Sequence, residues 1–128
     1  MAVPALARED IGQLAHQLRV RLAAVREQIR LALLRRETES YAQLAGQVHN
    51  SDGEALAGVL VDVNLSEIAR ETQEVRDIDA AFARIRAGTY GVCLQCKEPI
   101  NLMRLQAYPT AKRCLTCQCT HERAGSQA

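Results

Sequence analysis

Large aromatic side chains are scarce in this sequence. It has no tryptophan among 128 residues, and its aromatic residues are Tyr41, Phe82, Tyr90 and Tyr108. Because such rings supply much of the buried area of globular cores and β-sandwiches, their scarcity argues against a large globular core. Alanine, arginine and glutamate fill the chain instead, a composition typical of long helices and coiled coils. The length fits one domain with at most a small appendage.

Long hydrophobic runs are absent as well. The longest, residues 55–61, contains Gly58 and falls far short of the roughly 20 residues of a membrane span. The N-terminus MAVPALARED has no basic flank followed by an apolar stretch, so we expect neither a signal peptide nor a membrane anchor. Without a secretion signal, five cysteines indicate a reducing compartment in which clustered thiols are more often metal ligands than disulfides. The sequence predicts a cytoplasmic protein with no membrane partner.

Two helical patterns fill most of the chain. The first runs from Arg8 to about Ala45, with apolar residues recurring in steps of three and four, at a mean of about 3.7 residues. The second has a mean step of about 3.4 residues, near the coiled-coil period, and Gly88 is expected to end it. The first apolar stripe comprises Ile11, Leu14, Leu18, Leu22, Val25, Ile29 and Leu33. The second comprises Val61, Leu65, Ile68, Thr72, Val75, Ile78, Phe82 and Ile85.

Turn-forming residues separate the two patterns. Residues 46–53 read GQVHNSDG, which predicts the tip of an antiparallel helical hairpin near residues 46–54. Ser51 followed by Glu54 fits a capping box, so the second helix is expected to begin near Asp52. At ~1.5 Å per residue, helices of roughly 35 residues are about 50 Å long. We therefore predict a rod with a narrow apolar seam.

The formal net charge of +1 conceals a strong division along the chain. Residues 1–36 hold seven bases and three acids, residues 37–83 hold two bases and ten acids, and residues 84–128 hold seven bases and two acids. A hairpin would bring the two basic ends together and leave the acidic middle as its tip. This distribution argues against a simple nucleic-acid binder, which would carry one continuous basic face.

The C-terminal region contains two CxxC pairs, Cys93 with Cys96 and Cys114 with Cys117, separated by 17 residues. Each pair can supply two thiolates from one tight turn, and two such turns complete the tetrahedron that Zn²⁺ prefers. The spacing predicts one zinc ion held by these four cysteines. Four thiolates leave a net charge of −2 on the site, which nearby basic residues could offset. Those residues are Lys97, Arg104, Lys112 and Arg113.

Other uses of the cysteines are weaker. A redox-active CxxC usually stands alone at a helix N-terminus in a βαβ context, and a catalytic zinc keeps a position open for water. Spacing alone does not distinguish iron from zinc, but all-thiolate structural sites most often hold zinc. Cys119 is an additional thiol, either spare or able to exchange with a ligand on oxidation. His121 is a further possible ligand that the four thiolates make unnecessary.

The sequence GTYGVC before the first pair and RLQAYPTAKRC between the pairs resemble the C4 zinc finger of the DksA/TraR family, over about residues 84–124. The preceding long hairpin agrees with the DksA-type branch. The resemblance implies a mainly α fold: a helical hairpin over residues 1–88, then a zinc finger over residues 89–128 with a short helix from about Leu115 to Ala124. It also implies a non-enzymatic transcription regulator that binds RNA polymerase without contacting DNA, its coiled coil entering the secondary channel toward the catalytic Mg²⁺.

The tip departs from the family pattern. DksA-type tips carry a DxxDxA motif, and an ungapped alignment from Cys93 places Asn50, Gly53 and Ala55 on its three positions. Asp52 and Glu54 lie one residue away, so carboxylates are present beside the family positions. We expect Asp52, Glu54 and Ala55 to form the part of the tip that faces the partner.

The residues of this chain at the family's ppGpp-binding positions also differ from the family pattern. DksA proteins that respond to ppGpp present several basic side chains to its phosphates, and the same alignment places Arg70, Asp77, Tyr108 and Gln118 on those positions. Only the first is basic, and an aspartate repels a polyanion. We expect a weak or absent response to ppGpp at the site shared with polymerase.

Two rival functions come from other classes. One is a zinc-stabilised coiled-coil scaffold that binds a different protein or a second copy of itself. The other is a redox sensor that uses Cys119. Recovery of RNA polymerase subunits in a pull-down distinguishes the regulator from the scaffold, and zinc release on mild oxidation detects the sensor.

Overall fold

The structure, a computed structural model, describes the backbone of residues 5–46 and 51–127 and the side chains of residues 5–38 and 65–125. Four helices account for most of this part of the chain, and the described residues form no strand. They are α1 (Arg8–Gly46), α2 (Ser51–Ala87), α3 (Leu102–Ala107) and α4 (Leu115–Gln127). The mainly α fold with two long helices is confirmed, and both helices begin and end within about one residue of the sequence expectation.

Helix α1 begins with a carboxylate that caps its first turn. The Asp10 Oδ2 atom accepts a hydrogen bond from the Ala7 N–H group at 3.1 Å. The Ile11 N–H group donates to the Ala7 carbonyl at 3.1 Å. The negative charges of Glu9 and Asp10 also lie in the first turn, where the positive end of the helix dipole stabilises them.

The apolar stripe of α1 follows the heptad more closely than the sequence suggested. Leu18, Val25 and Ala32 are each at most 1% exposed and lie seven residues apart. Leu33, the expected last member of the stripe, is instead 49% exposed. A 3.5-residue period places the next buried position three residues after Ile29, at the small Ala32. The larger Leu33 lies next to that position and is therefore left at the surface.

Helix α2 ends where glycine permits it. Gly88 has φ of +77°, the left-handed conformation that is strained for residues with a Cβ atom. The N–H groups of Thr89 and Tyr90 both donate to the Arg84 carbonyl, at 2.9 and 3.2 Å, and so satisfy a carbonyl that the helix leaves open. The predicted stop at Gly88 is confirmed.

Helix α3 was not predicted from the sequence. The Asn101 side chain accepts a hydrogen bond from the Met103 N–H group at 2.8 Å, an N-cap contact that starts this short helix. Tyr108 follows as the C-cap, and its N–H group donates to the Arg104 carbonyl at 2.7 Å. An asparagine before an apolar run was the available signal, but six residues are too few for a periodic pattern.

The described residues divide into two compact units. Unit 1 comprises the described residues of the ranges 1–21 and 77–128, and unit 2 comprises those of the range 22–76. Unit 1 therefore contains the start of α1 together with the end of α2, and unit 2 contains the end of α1 together with the start of α2. None of the described helices combines the length and the hydropathy that a membrane span requires.

Each unit has its own buried positions. In unit 1, the buried residues include Leu14 and Leu18 of α1, Ile78 and Ala81 of α2, and the finger residues Tyr90, Cys93, Ile100 and Leu105. In unit 2, α1 and α2 are joined by the Arg35–Glu67 ion pair at 3.5 Å. Because both side chains are more than one-third exposed, this pair contributes only about 0–1 kcal/mol. The buried positions of unit 2 include Val25 and Ala32 of α1.

Candidate metal centre

The first cysteine pair lies on a tight loop closed by backbone hydrogen bonds. The Cys93 N–H group donates to the Glu98 carbonyl at 2.9 Å, and the Lys97 N–H group donates to the Cys93 carbonyl at 3.1 Å. Lys97 has φ of +65°, which reverses the chain direction within the loop. A single antiparallel bridge between Val92 and Pro99 closes its base. This local fold directs two thiols to one point.

The second pair spans the start of α4. Cys114 immediately precedes the helix, and Cys117 lies in its first turn, so the helical rise brings both thiols to the same end. The Gln118 N–H group donates to the Cys114 carbonyl at 2.9 Å. The Leu94 N–H group donates to the Lys112 carbonyl at 2.9 Å, which ties the two pairs together.

The four sulfur atoms converge. Those of Cys93, Cys96, Cys114 and Cys117 all lie within 4.8 Å of one another. The Cys96 and Cys114 Sγ atoms are 3.8 Å apart. A tetrahedron with Zn–S bonds of roughly 2.3 Å has edges of about 3.8 Å. The cluster therefore matches the size of an all-thiolate zinc site, and this chemistry fits a structural zinc ion.

The electrostatics of the cluster are those of four crowded thiols. Burial alone would raise the pKa of Cys93, but backbone N–H groups of Cys96, Cys114 and Gln95 lower it to about 6. Hydrogen bonding to Cys114, together with burial, raises the pKa of Cys117 to about 12. Without a cation, the sulfurs cannot all be ionised so close together, whereas a dication stabilises all four as thiolates.

The remaining sequence candidates lie elsewhere. Among the described residues, the cluster includes neither Cys119 nor His121, and both are exposed on α4. The tip residues Asp52, Glu54 and Ala55 lie outside the side chains that the structure describes. Their predicted role at the partner-facing tip stays a prediction, as does the capping box at Ser51.

A second group of side chains makes contacts within the finger and from the finger to α1 and α2, all within unit 1. The buried Tyr90 hydroxyl donates to the Pro109 carbonyl at 2.8 Å, and burial raises the pKa of Tyr90 to about 12. Arg84 Nη2 is 3.4 Å from the Thr110 carbonyl. Gln17 of α1 donates from Nε2 to the Gln106 carbonyl at 2.8 Å. Sequence reasoning missed all three, because none belongs to a periodic pattern or a metal motif.

Two of the four residues that the family alignment places on ppGpp-binding positions share a polar cleft of about 250 Å³ in unit 1. Asp77 and Gln118 line it together with the cations Arg84 and Lys112. Burial lowers the pKa of Arg84, and the charges of Tyr90 and then Asp77 oppose part of this lowering. Tyr108 is 63% exposed and lines a different groove.

Four converging cysteine sulfurs, enough to fill every position of a tetrahedral zinc site, define a helical protein with a structural zinc finger. Residues 88–123 match the model of the prokaryotic dksA/traR C4-type zinc finger. The general stress protein 16O of Bacillus subtilis is 31% identical over 121 residues, covering 89% of this chain and 69% of that protein. The chain belongs to the DksA/TraR family.

Two DksA-type relatives extend the match. The RNA polymerase-binding transcription factor DksA of Caulobacter vibrioides is 37% identical over 90 residues, which cover 70% of this chain. The chain spans only 58% of the length of that relative. The structure of transcription factor DksA2 from Pseudomonas aeruginosa matches with a TM-score of 0.54 and 25% identity, covering 87% of each chain. The prediction of a DksA-like zinc-finger protein is confirmed.

Proposed function

We propose that this protein is a non-enzymatic regulator of transcription that binds RNA polymerase. The observation that supports this most is the 37% identity to a relative that is named for binding RNA polymerase. The DksA2 structure has the same type of fold over 87% of the chain. Polymerase is the enzyme in this proposal, and the chain supplies a shaped and charged surface. Its place is the cytoplasm, where the bacterial polymerase works.

The proposed zinc ligands are Cys93, Cys96, Cys114 and Cys117. Their convergence supports this assignment, as does the tetrahedral spacing between two of the sulfurs. The metal supplies a structural cross-link between the loop before α3 and the start of α4. The chain's own contribution is to hold the four thiols in place through the backbone hydrogen bonds of Cys93, Leu94 and Gln118.

The proposed action of the hairpin uses its acidic part. Residues 37–83 hold ten acids against two bases, whereas both flanking segments are basic. An acidic tip can approach a bound Mg²⁺ or basic channel walls, where a basic one would be repelled. In this proposal the hairpin enters the secondary channel of polymerase with Asp52, Glu54 and Ala55 foremost. The finger and α4 stay outside.

The proposed regulator does not bind DNA directly. Residues 84–128 carry seven bases and two acids, but four zinc-bound thiolates on a dication offset two of these positive charges. A mobility-shift titration with purified protein should show no shift of promoter DNA until polymerase is added. A shift by the protein alone would assign it to a different class.

The proposed response to ppGpp at the site shared with polymerase is weak or absent. The cleft that holds Asp77 and Gln118 also holds Arg84 and Lys112, so one acid offsets one of its two cations. Arg84 also donates a hydrogen bond to the Thr110 carbonyl, so its guanidinium already has an acceptor within the protein. In transcription with a polymerase that lacks its other ppGpp site, we expect little change in the protein's effect when ppGpp is added. Strong ppGpp-dependent enhancement would overturn this part of the proposal.

Binding to purified polymerase tests the main proposal. Immobilised full-length protein should retain the core enzyme, and the eluate from a lysate should contain its subunits. The scaffold alternative predicts other proteins in the eluate and no retention of purified core enzyme. For the redox alternative, mild peroxide should release zinc from the wild type and not from Cys119→Ser.

A further inference from the structure

The part of α1 that lies in unit 2 has a second apolar face. Leu31 and Leu34 are 43% and 46% exposed, whereas Ala32 of the buried stripe has no exposed surface. With Arg35 and Thr38, the two leucines line a shallow groove of about 400 Å³. Residues three and four apart are neighbours on a helix surface, so this groove follows the axis of α1.

This outer face has the spacing of a coiled-coil seam. Its members follow one another in steps of three, four, three and four residues, which is the a/d pattern of a heptad. The buried stripe through Val25 and Ala32 has the same period. Helix α1 therefore carries two seams in unit 2, and the described residues bury only one of them. The exposed seam comprises Ala24, Glu27, Leu31, Leu34 and Thr38.

The polar members of the exposed seam already have partners. The Glu27 carboxylate accepts two hydrogen bonds from Arg30, at 2.9 Å from Nε and 2.6 Å from Nη2. The Thr38 hydroxyl donates to the Leu34 carbonyl at 3.0 Å. A buried polar group is costly mainly when it loses its partner. Another helix can therefore cover this face without leaving either group unpaired.

Charged residues beside the seam specify how a second helix would lie. Arg30 and Glu37 are seven residues apart, so they hold equivalent heptad positions on the same side of the seam. If two copies of α1 pair antiparallel, with Leu31 of each opposite Leu34 of the other, Arg30 of each copy lies beside Glu37 of the other. A parallel pairing would instead bring Arg30 next to Arg35 of the other copy. The charges thus favour the antiparallel arrangement.

Both members of this charge pair can take part in it. Glu37 is exposed and forms no ion pair with another described residue. Arg30 uses Nε and Nη2 for Glu27, which leaves Nη1 for a second carboxylate. The side chain of Arg30 is 59% exposed, so a partner can reach it.

Other classes of occupant fit this face less well. Single-stranded nucleic acid needs stacking rings and a track of cations, and the residues that line the groove include no ring and one cation. A helix that lies on a membrane has bases along its polar face, whereas this seam contains one carboxylate and is flanked by another. A second copy of the chain supplies both a seam of the same period and charges in the matching order.

We propose that the outer face of α1 is a self-association surface through which two copies of this chain pair antiparallel, with Leu31 opposite Leu34 and Arg30 beside Glu37. The apolar contact is small, so the dimer is weak and forms only at high protein concentration. The inference is independent of the proposed function, because it needs no other protein.

Sedimentation velocity of the zinc-loaded full chain tests the surface. The wild type should shift from monomer to dimer over about 1–500 µM, the range in which a small interface is populated. The double variant Leu31→Ser, Leu34→Ser should dimerise about tenfold more weakly, since both leucine layers are lost. Leu33→Ser is the matched control, because Leu33 is a 49% exposed leucine of the same helix that does not line the groove. It should dimerise as the wild type does.

Charge reversal tests the pairing of Arg30 with Glu37. Glu37→Arg should weaken dimerisation about threefold, because it places two cations side by side at the rim of the interface. Adding Arg30→Glu to this variant reverses both charges and should restore the wild-type dimerisation constant. Helicity and zinc content verify that every variant is folded. Failure of the double reversal to restore dimerisation would overturn the proposed register.

A photo-crosslinking amino acid at position 38 reads the orientation directly. In the antiparallel dimer it should attach to the other copy near Glu27, and in a parallel dimer it would attach near Thr38. Adducts near Thr38, or on the zinc finger, would contradict the proposal.

The sedimentation outcomes are equally decisive. A wild type that remains monomeric over the whole concentration range overturns the self-association surface. Equal dimerisation of the wild type and the leucine double variant overturns it as well. Weakening by Leu33→Ser to the same extent as by the double variant would show that the effect is not specific to the seam.

Discussion

Gly91 combines an unusual backbone conformation with a crowded site. Its φ is +82°, and a Cβ atom built on it would lie 2.6 Å from Leu6 Cδ1. Gly88 has a similar φ of +77°, but a Cβ atom there would meet nothing within 4 Å. The two glycines therefore separate backbone strain from steric crowding.

Alanine substitutions at both glycines should destabilise the protein to different extents. Gly88→Ala is expected to cost about 1–2 kcal/mol of unfolding free energy, the price of the left-handed conformation for a residue with a Cβ atom. Gly91→Ala should cost more, since Leu6 must also move. Chemical denaturation measures both. Equal losses would show that Leu6 adapts without cost.

The four proposed zinc ligands should behave differently from Cys119 in a metal assay. Cys117→Ser should lose zinc and the cooperative unfolding of the finger, because four thiolates hold the site together. Cys119→Ser should keep one zinc per chain, since its thiol lies outside the cluster. Native mass spectrometry counts the metal. Zinc loss in Cys119→Ser, or a metal-free finger that still folds cooperatively, would contradict this ligand assignment.

Individual residues were predictable where chemistry is local. The spacing of the two CxxC pairs predicts a metal site, and the four cysteine sulfurs lie close together in the structure. Leu33 shows the opposite case. The sequence predicts that this large apolar side chain is buried, but Ala32 is the buried residue because packing between helices sets the period of the stripe. Packing between helices is not visible in the sequence of one helix.

At the scale of elements, the long helices were predictable and the short one was not. Helices of 39 and 37 residues repeat their pattern many times, so the boundaries near Arg8, Gly46 and Ala87 follow from periodicity, glycine and capping. Helix α3 has six residues and depends on one asparagine cap. The contacts of Arg84 and Tyr90 with the carbonyls of residues 110 and 109 depend on the finished fold.

Helix α2 carries a carboxylate at a costly position. The Oε2 atom of Glu71 is buried and has no hydrogen-bond partner among the described residues. Burial raises the pKa of Glu71, and the neighbouring charge of Glu67 raises it further, while Arg35 and Arg70 oppose both effects. The ionised form of Glu71 is therefore less stable in the folded protein than in the unfolded chain.

The pH dependence of stability should reveal this carboxylate. Because the folded state holds the proton more tightly than the unfolded chain, the contribution of Glu71 to stability increases as pH falls from 7 toward its ordinary pKa of 4.5. Glu71→Gln removes the titrating group, so wild type and variant should differ most at neutral pH, with the variant more stable. Denaturation at several pH values measures the difference. The exposed Glu37→Gln serves as the control, and a Glu71→Gln difference that does not vary with pH would contradict the account.

At the scale of the whole molecule, the division of charge along the chain could be predicted from the sequence, but the function of that division could not. Counting bases and acids gives two basic segments around an acidic one. The family and its zinc site followed from the CxxC pairs and the residues between them. The apolar groove of the finger could not be predicted from the sequence. Its lining residues Met103, Tyr108 and Leu115 are brought together only by the fold of the finger.

The acidic tip should affect the output of transcription more than the affinity for polymerase. The double variant Asp52→Asn, Glu54→Gln should bind polymerase nearly as the wild type does and alter transcript yield, since in the proposed complex the binding area would come mainly from the hairpin sides and the finger. Asp79→Asn, an exposed carboxylate of α2 away from the tip, is the control for loss of charge. If the double variant gives wild-type output, Ser51 and Glu54 serve only as a helix cap worth about 1 kcal/mol.

Site-specific photo-crosslinking from position 52 into purified RNA polymerase tests the central claim most directly. In the full complex, a crosslinker that replaces Asp52 should form adducts within the secondary channel close to the catalytic Mg²⁺. One at the exposed His121 of α4 should react only with the outer surface. Adducts from position 52 confined to the outer surface, or no adducts from either position, would contradict the account.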